Sequence, residues 1–144
     1  MNAIVSACLL GINCRYDGKN SERREVFEFI KKGNLNPVPV CPEQLAGLPT
    51  PRKKCKIDGD GFDVLEGKSR VIAEDGEDMT KFFVNGAKEV LKIAEITNSK
   101  IALLKSRSPS CGAGKIYNAF AGNEGYGVTA ALLKKNGIDV IEFD

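Results

Sequence analysis

Three features of the chain point to an α/β protein with a parallel sheet and helices on both of its faces. Short apolar runs alternate with amphipathic stretches in the order strand, helix, strand, helix, strand, helix, strand. That alternation is the pattern of parallel strands joined by helical crossovers. The 144 residues are 42% hydrophobic and 28% charged, enough for one domain with a substantial core. Four of the five cysteines, Cys8, Cys14, Cys41 and Cys111, sit at breaks near Gly or Pro, and three of them closely follow apolar runs. Ligands of parallel sheets bind beyond the carboxyl ends of the strands, so these thiols are placed to converge on one edge.

The elements are expected as follows. Residues 3–7 are apolar enough for a short buried strand, and Gly11 and the Asp17-Gly18 pair mark a loop. Asn20 or Ser21 caps a helix over residues 21–32, with Val26, Phe27, Phe29 and Ile30 on its apolar face and Gly33 as its stop. Residues 37–40, PVPV, are extended but make a poor central strand, because proline donates no ladder bond. Residues 41–54 read as an ordered loop. Residues 55–74 alternate weakly around Gly59, Gly61 and Gly67, giving short strands or a hairpin through Ile57, Phe62, Val64, Val71 and Ile72. Asp78 or Thr80 caps a long helix reaching residue 97, with Phe82, Phe83, Ala87, Val90, Leu91, Ala94 and Ile96 as its buried stripe. Residues 101–104 are the clearest buried strand. Residues 113–126 are rich in small residues, with Tyr117, Phe120 and Tyr126 among them. A helix over 128–136 ends at Gly137, and 138–143 is the last strand. No repeat, low-complexity tract or linker interrupts this order, so a single Rossmann-like domain over residues 1–144 is expected.

Composition removes several function classes. A net charge of +2 gives no ground for nucleic-acid binding. No apolar run approaches a membrane span, and the first residues lack the basic region of a signal peptide. An odd number of cysteines in a chain of this size suits reduced or metal-bound thiols, so a cytoplasmic monomer that meets neither membrane nor nucleic acid is expected. The chain has no histidine. A Ser-His-Asp triad, a Cys-His pair and a His-liganded zinc are therefore impossible. Thiolate chemistry, carboxylate acid–base work or a sulfur-held metal remain.

Cys8, Cys41 and Cys111 each lie just after a candidate strand. Three thiolates from separate loops suit a Cys₃ metal site or an iron–sulfur cluster with one iron left open to act as a Lewis acid. Cys14 is either a fourth ligand or a free thiol beside the site. The plain alternative, cysteines filling a core, is weakened by their Gly and Pro neighbours. No C-x-x-C occurs, so zinc-ribbon and thioredoxin patterns are absent. Glu43, two residues after Cys41, is either a general acid or base or a solvated loop glutamate. Ser108 and Ser110 either orient substrate or water, or cap a turn. Arg15, Arg52, Lys105 and Arg107 either bind a phosphate or base edge, or are surface charge. Gly112-Ala113-Gly114 and residues 122–127 offer backbone amides to an anion but match no phosphate-loop pattern. Cys55, amid Lys53, Lys54 and Lys56, reads as a bystander.

Several motifs together carry a resemblance: VSACLLG at 5–11, CRYDG at 14–18, PVCPE at 39–43, GLPTPR at 47–52 and LKSRSPSCG at 104–112. Across essentially its whole length the chain resembles the small single-domain members of the thiouracil desulfurase family, long catalogued as a domain of unknown function. The resemblance implies a [4Fe-4S] cluster held by Cys8, Cys41 and Cys111, with Glu43, Cys14 and Ser108 as catalytic candidates. It implies conversion of 2- or 4-thiouracil, or a related thiolated pyrimidine nucleotide, to the oxo form. The substrate sulfur would sit on the open fourth iron and leave as sulfide without net redox change. Two other classes of function stand beside it: a non-catalytic thiolate protein binding metal or nucleotide, and a cysteine persulfide sulfur carrier.

Overall fold

The computed structural model of the protein describes residues 1–115 and 124–144. Along the chain run β1 (Asn2–Ser6), a 3₁₀ turn (Ala7–Leu10), α1 (Arg24–Lys32), β2 (Asn36–Val40), α2 (Pro42–Leu45), β3 (Cys55–Ile57), α3 (Gly61–Leu65), β4 (Val71–Ala73), α4 (Thr80–Ile96), β5 (Ile101–Lys105), β6 (Ala113–Lys115), β7 (Glu124–Tyr126), α5 (Val128–Lys135) and β8 (Asp139–Phe143). The central sheet has four parallel strands in the order β2-β1-β5-β8. β2 is an edge strand, which is where Pro37 and Pro39 cost least.

Alternation along the strands explains the layers. On one face, Ile4, Ala102 and Leu104 pack with Val90 and Ala94 of α4 and with Ala130 and Leu133 of α5. On the other, Val5 and Leu103 pack with Val26, Phe29 and Ile30 of α1. The sheet is thus covered on both faces, as a parallel sheet requires. Among the described residues no helix is long and apolar enough to cross a membrane.

The chain leaves β1 for β2 on one side and returns through β5 on the other side of β1. The gap between β1 and β5 is therefore the switch point, where an open α/β sheet forms its crevice beyond the strand ends.

Several expectations need correction. α1 begins at Arg24, without a side-chain cap, because the Ser21 side chain instead accepts from Arg15 Nη1 at 2.7 Å. Phe27, Phe82 and Ile96 lie on the exposed sides of their helices rather than in the core. Residues 41–54 contain a helical turn, α2, and the segment between β3 and β4 holds α3, opened by a capping box of Asp60 and Asp63. A second hairpin, β6–β7, flanks residues outside the description. The reading of Tyr117, Phe120 and Gly122 as part of a Gly-rich stretch falls there.

Candidate active site

The three cysteines that follow strands reach one place because each strand ends at the same edge of the sheet. β1 runs into the 3₁₀ turn that carries Cys8, with Gly11 closing it at φ 92°, a left-handed conformation that glycine adopts without strain. β2 ends at Val40, and Cys41 occupies the N-cap position of α2. Pro42 stands at the first helical position, where its missing N–H costs nothing, and Glu43 follows in the first turn. β5 runs into the turn containing Ser108 and Cys111.

That last turn is fixed by its neighbours. The Ser108 hydroxyl oxygen accepts from the Ser110 and Cys111 backbone N–H groups at 3.1 and 3.0 Å. At the start of α5, Val128 N–H donates to the Pro109 carbonyl at 2.8 Å, and Thr129 N–H to the Ser110 carbonyl at 2.9 Å. Helix N-termini have orphan N–H groups, and the turn satisfies three of them, since Ala130 N–H also donates to the Ser110 carbonyl at 3.1 Å. Gly127 makes this approach possible, since a Cβ there would overlap the backbone of Ser110 and Cys111.

The result is a cavity of about 510 Å³ lined by Cys8, Cys14, Cys41, Cys55 and Cys111 and by Glu43. All five cysteines are free thiols. Cys8 and Cys14 are buried side by side, with Cys41 packed against them. The Cys41 thiol also reaches the Cys14 carbonyl at 3.5 Å. A hydrogen bond with Cys41 pulls the Cys14 thiol down, but its contact with Cys8 and its burial outweigh that and push it up to about 11. The hydrogen bond with Cys14, then burial, raise Cys41. Burial pushes Cys111 up to about 12, against hydroxyl contacts from Ser6 and Ser108 that favour its thiolate. Burial also takes Cys55 up to about 12, helped by the Glu43 charge. A metal centre bound by buried thiols of this kind would displace their protons. Among the described residues no three Cys, Asp or Glu side chains come close enough to hold a single metal ion. Soft donors spread around a cavity of this size fit a polynuclear iron–sulfur group better than one zinc ion.

Glu43 is nearly buried and both of its oxygens are engaged. Oε1 accepts from Arg52 Nε at 2.8 Å, and Oε2 accepts from the Ser110 hydroxyl at 3.1 Å. Of the two serines singled out in the sequence, Ser110 is thus the one that touches the carboxylate, while Ser108 caps the Cys111 turn. Arg15, Lys54, Lys105 and Arg107 line the same cavity. Burial holds the Lys105 amine below the usual lysine range, opposed by the nearby Cys8 thiol. Arg107 pairs with Asp144 at 3.3 Å.

A protein-family model described as 2-thiouracil desulfurase matches residues 3–144. The chain belongs to that family. This desulfurase-family chain is also 42% identical over 142 residues to the uncharacterized protein YbbK of Bacillus subtilis (strain 168), a match covering 96% of this chain and 93% of YbbK. A solved structure described as [4Fe-4S]-dependent thiouracil desulfidase TudS is 38% identical, with a TM-score of 0.82, over 98% of this chain and 89% of that one. The motifs that carry the family resemblance in the sequence are the segments that wall the cavity here. In this desulfurase-family chain two residues sit closer to the site than the sequence alone indicates. Ser110 reads from the sequence as orienting substrate or water or as capping a turn, and its hydroxyl bonds Glu43; Cys55 reads as a bystander, and it lines the cavity. The signal for Ser110 was its place beside Cys111. For Cys55, on a strand expected through Ile57, the lysines on either side point to the surface rather than to the cavity.

Proposed function

We propose that this protein is a [4Fe-4S]-dependent desulfurase that converts a thiolated uracil, free or as a nucleotide, to the oxo form. The observation that carries this reading is the meeting of Cys8, Cys41 and Cys111 with Glu43 in one cavity of a histidine-free chain. The three cysteines would hold the cluster, and their three thiolates leave one of its irons without a protein ligand. When bound, the cluster supplies a soft Lewis acid for the thiocarbonyl sulfur.

The chain's own groups do the rest. Water adds to the carbon that bears sulfur, and hydrogen sulfide leaves. C=S plus H₂O gives C=O plus H₂S, with no electron gained or lost. Glu43 takes the proton of the attacking water, its carboxylate held in one orientation by Arg52 and Ser110. Cys14, buried beside Cys8, delivers a proton toward the departing sulfur. Ser108 holds the Cys111 turn in shape through its two backbone contacts. The basic side chains of Arg15, Lys54 and Lys105 on the cavity wall suit a substrate that carries phosphate.

The test is to offer thiouracil anaerobically to the reconstituted protein and to metal-free protein. Uracil and sulfide are expected only from the reconstituted form. Turnover by metal-free protein would support a cysteine nucleophile or persulfide carrier instead. A loaded protein that turns over no thiolated uracil or nucleotide would reject the activity.

A further inference from the structure

We propose that Arg52 is a positioning residue that joins the catalytic carboxylate to the cysteine walls of the site and does not itself bind substrate. The inference rests on the desulfurase reading above. Its basis is a complete account of one side chain. A guanidinium carries five N–H donors. Nε donates to Glu43 Oε1 at 2.8 Å. Nη1 faces the Thr50 hydroxyl at 2.9 Å and the Pro49 carbonyl at 3.2 Å. Nη2 faces the Cys14 carbonyl at 2.7 Å and the Cys41 sulfur at 3.7 Å. Five donors thus face five protein acceptors, and the side chain is only 6% exposed. No donor is left for a phosphate or a base edge, although Arg52 borders the cavity. Its backbone N–H also donates to the Tyr16 carbonyl at 2.8 Å, so Arg52 grips the Cys14–Tyr16 segment at two points.

The consequence is a rigid link between three pieces of chain. Holding Oε1 fixes the plane of the Glu43 carboxylate and turns Oε2 toward Ser110. The same planar group sets the Cys14 carbonyl and the Cys41 sulfur against that carboxylate. Lysine cannot reproduce this, because an ammonium is a point charge with three donors and no fork. Misplacing a catalytic group by about 1 Å can cost about 100-fold in rate.

The experiment compares wild type, R52K, E43Q and the double variant as cluster-loaded protein, reading kcat, KM, iron content and the reduction potential of the cluster. R52K is expected to keep its iron and its KM for thiouracil and to lose about 100-fold in kcat. In the E43Q background the same change should cost almost nothing further, because Arg52 acts through Glu43. Loss of the N–H donor to the Cys41 sulfur should lower the potential. Equal losses in both backgrounds, or a rise in KM with kcat intact, would overturn the proposal. If R52K does not load, T50V removes one acceptor from the fork and should lower kcat at unchanged KM; wild-type kinetics there would overturn the proposal. An inactive wild type would defeat the desulfurase reading alone, since the potential still reads the Arg52–Cys41 contact: an unchanged potential in R52K would overturn that part and a lowered one would support it.

Discussion

Glu43→Gln is expected to lower kcat for thiouracil by about 10²–10⁴-fold, the range that general acid–base catalysis supplies, while iron and sulfide content stay at the wild-type level. Gln is the informative replacement. Its amide oxygen still accepts from Arg52 Nε, so the fork and the wall behind it keep their shape. What is lost is the capacity to take a proton. With no histidine in the chain, no imidazole can stand in for the carboxylate. The buried Arg52 charge loses its counter-ion, and leaving one partner of a buried pair uncompensated typically costs about 3–5 kcal/mol. A lowered unfolding midpoint should therefore accompany the change. Steady-state kinetics alongside iron analysis separates the two effects. Turnover near wild type in a fully loaded E43Q protein would remove Glu43 from the chemistry.

The second large effect is expected at the thiols. On the proposed ligation, Cys8→Ala, Cys41→Ala and Cys111→Ala should each abolish cluster retention, because a cluster held by only three thiolates would have no ligand to spare. Anaerobic iron and acid-labile sulfide analysis should find near four of each per chain in the wild type and little in these variants. Cys14→Ser should differ in kind. It should keep the cluster and lose turnover, because Cys14 is assigned to proton delivery. Cys14 retained as a ligand in place of one of the three would reverse this pattern, and the absorption spectra of the four variants read it directly.

The sequence made the frame of this site legible for a simple reason. Strands buried on both faces announce themselves as apolar runs, and a parallel sheet brings their ends together whatever lies between them. Cys8, Cys41 and Cys111 were therefore visible as a group despite their separation along the chain. Glu43 was visible through its position two residues after Cys41, although the helical turn that orients it was not, since a four-residue helix gives no periodic signal. Arg52 was read as a substrate contact or a surface charge. Its burial arises from three segments folding around it, and neighbours so distant in sequence leave no local mark. α3 was missed because Gly59, Gly61 and Gly67 suggested turns, whereas Asp60 and Asp63 nucleate a capped helix between them. Phe27, Phe82 and Ile96 carried apolar character to exposed helix faces, a reminder that periodicity locates a stripe but not its width.

The measurement closest to the centre of this account is the fate of oxygen and sulfur during a single conversion. Loaded protein would be mixed anaerobically with thiouracil in ¹⁸O-labelled water, without added reductant or oxidant, and uracil, its label and sulfide would be quantified together. Hydrolysis at a thiolate-held cluster predicts equal amounts of uracil and sulfide, with one labelled oxygen in each uracil. Unlabelled uracil, a need for an electron donor or acceptor, or sulfur retained on the protein as persulfide would contradict it.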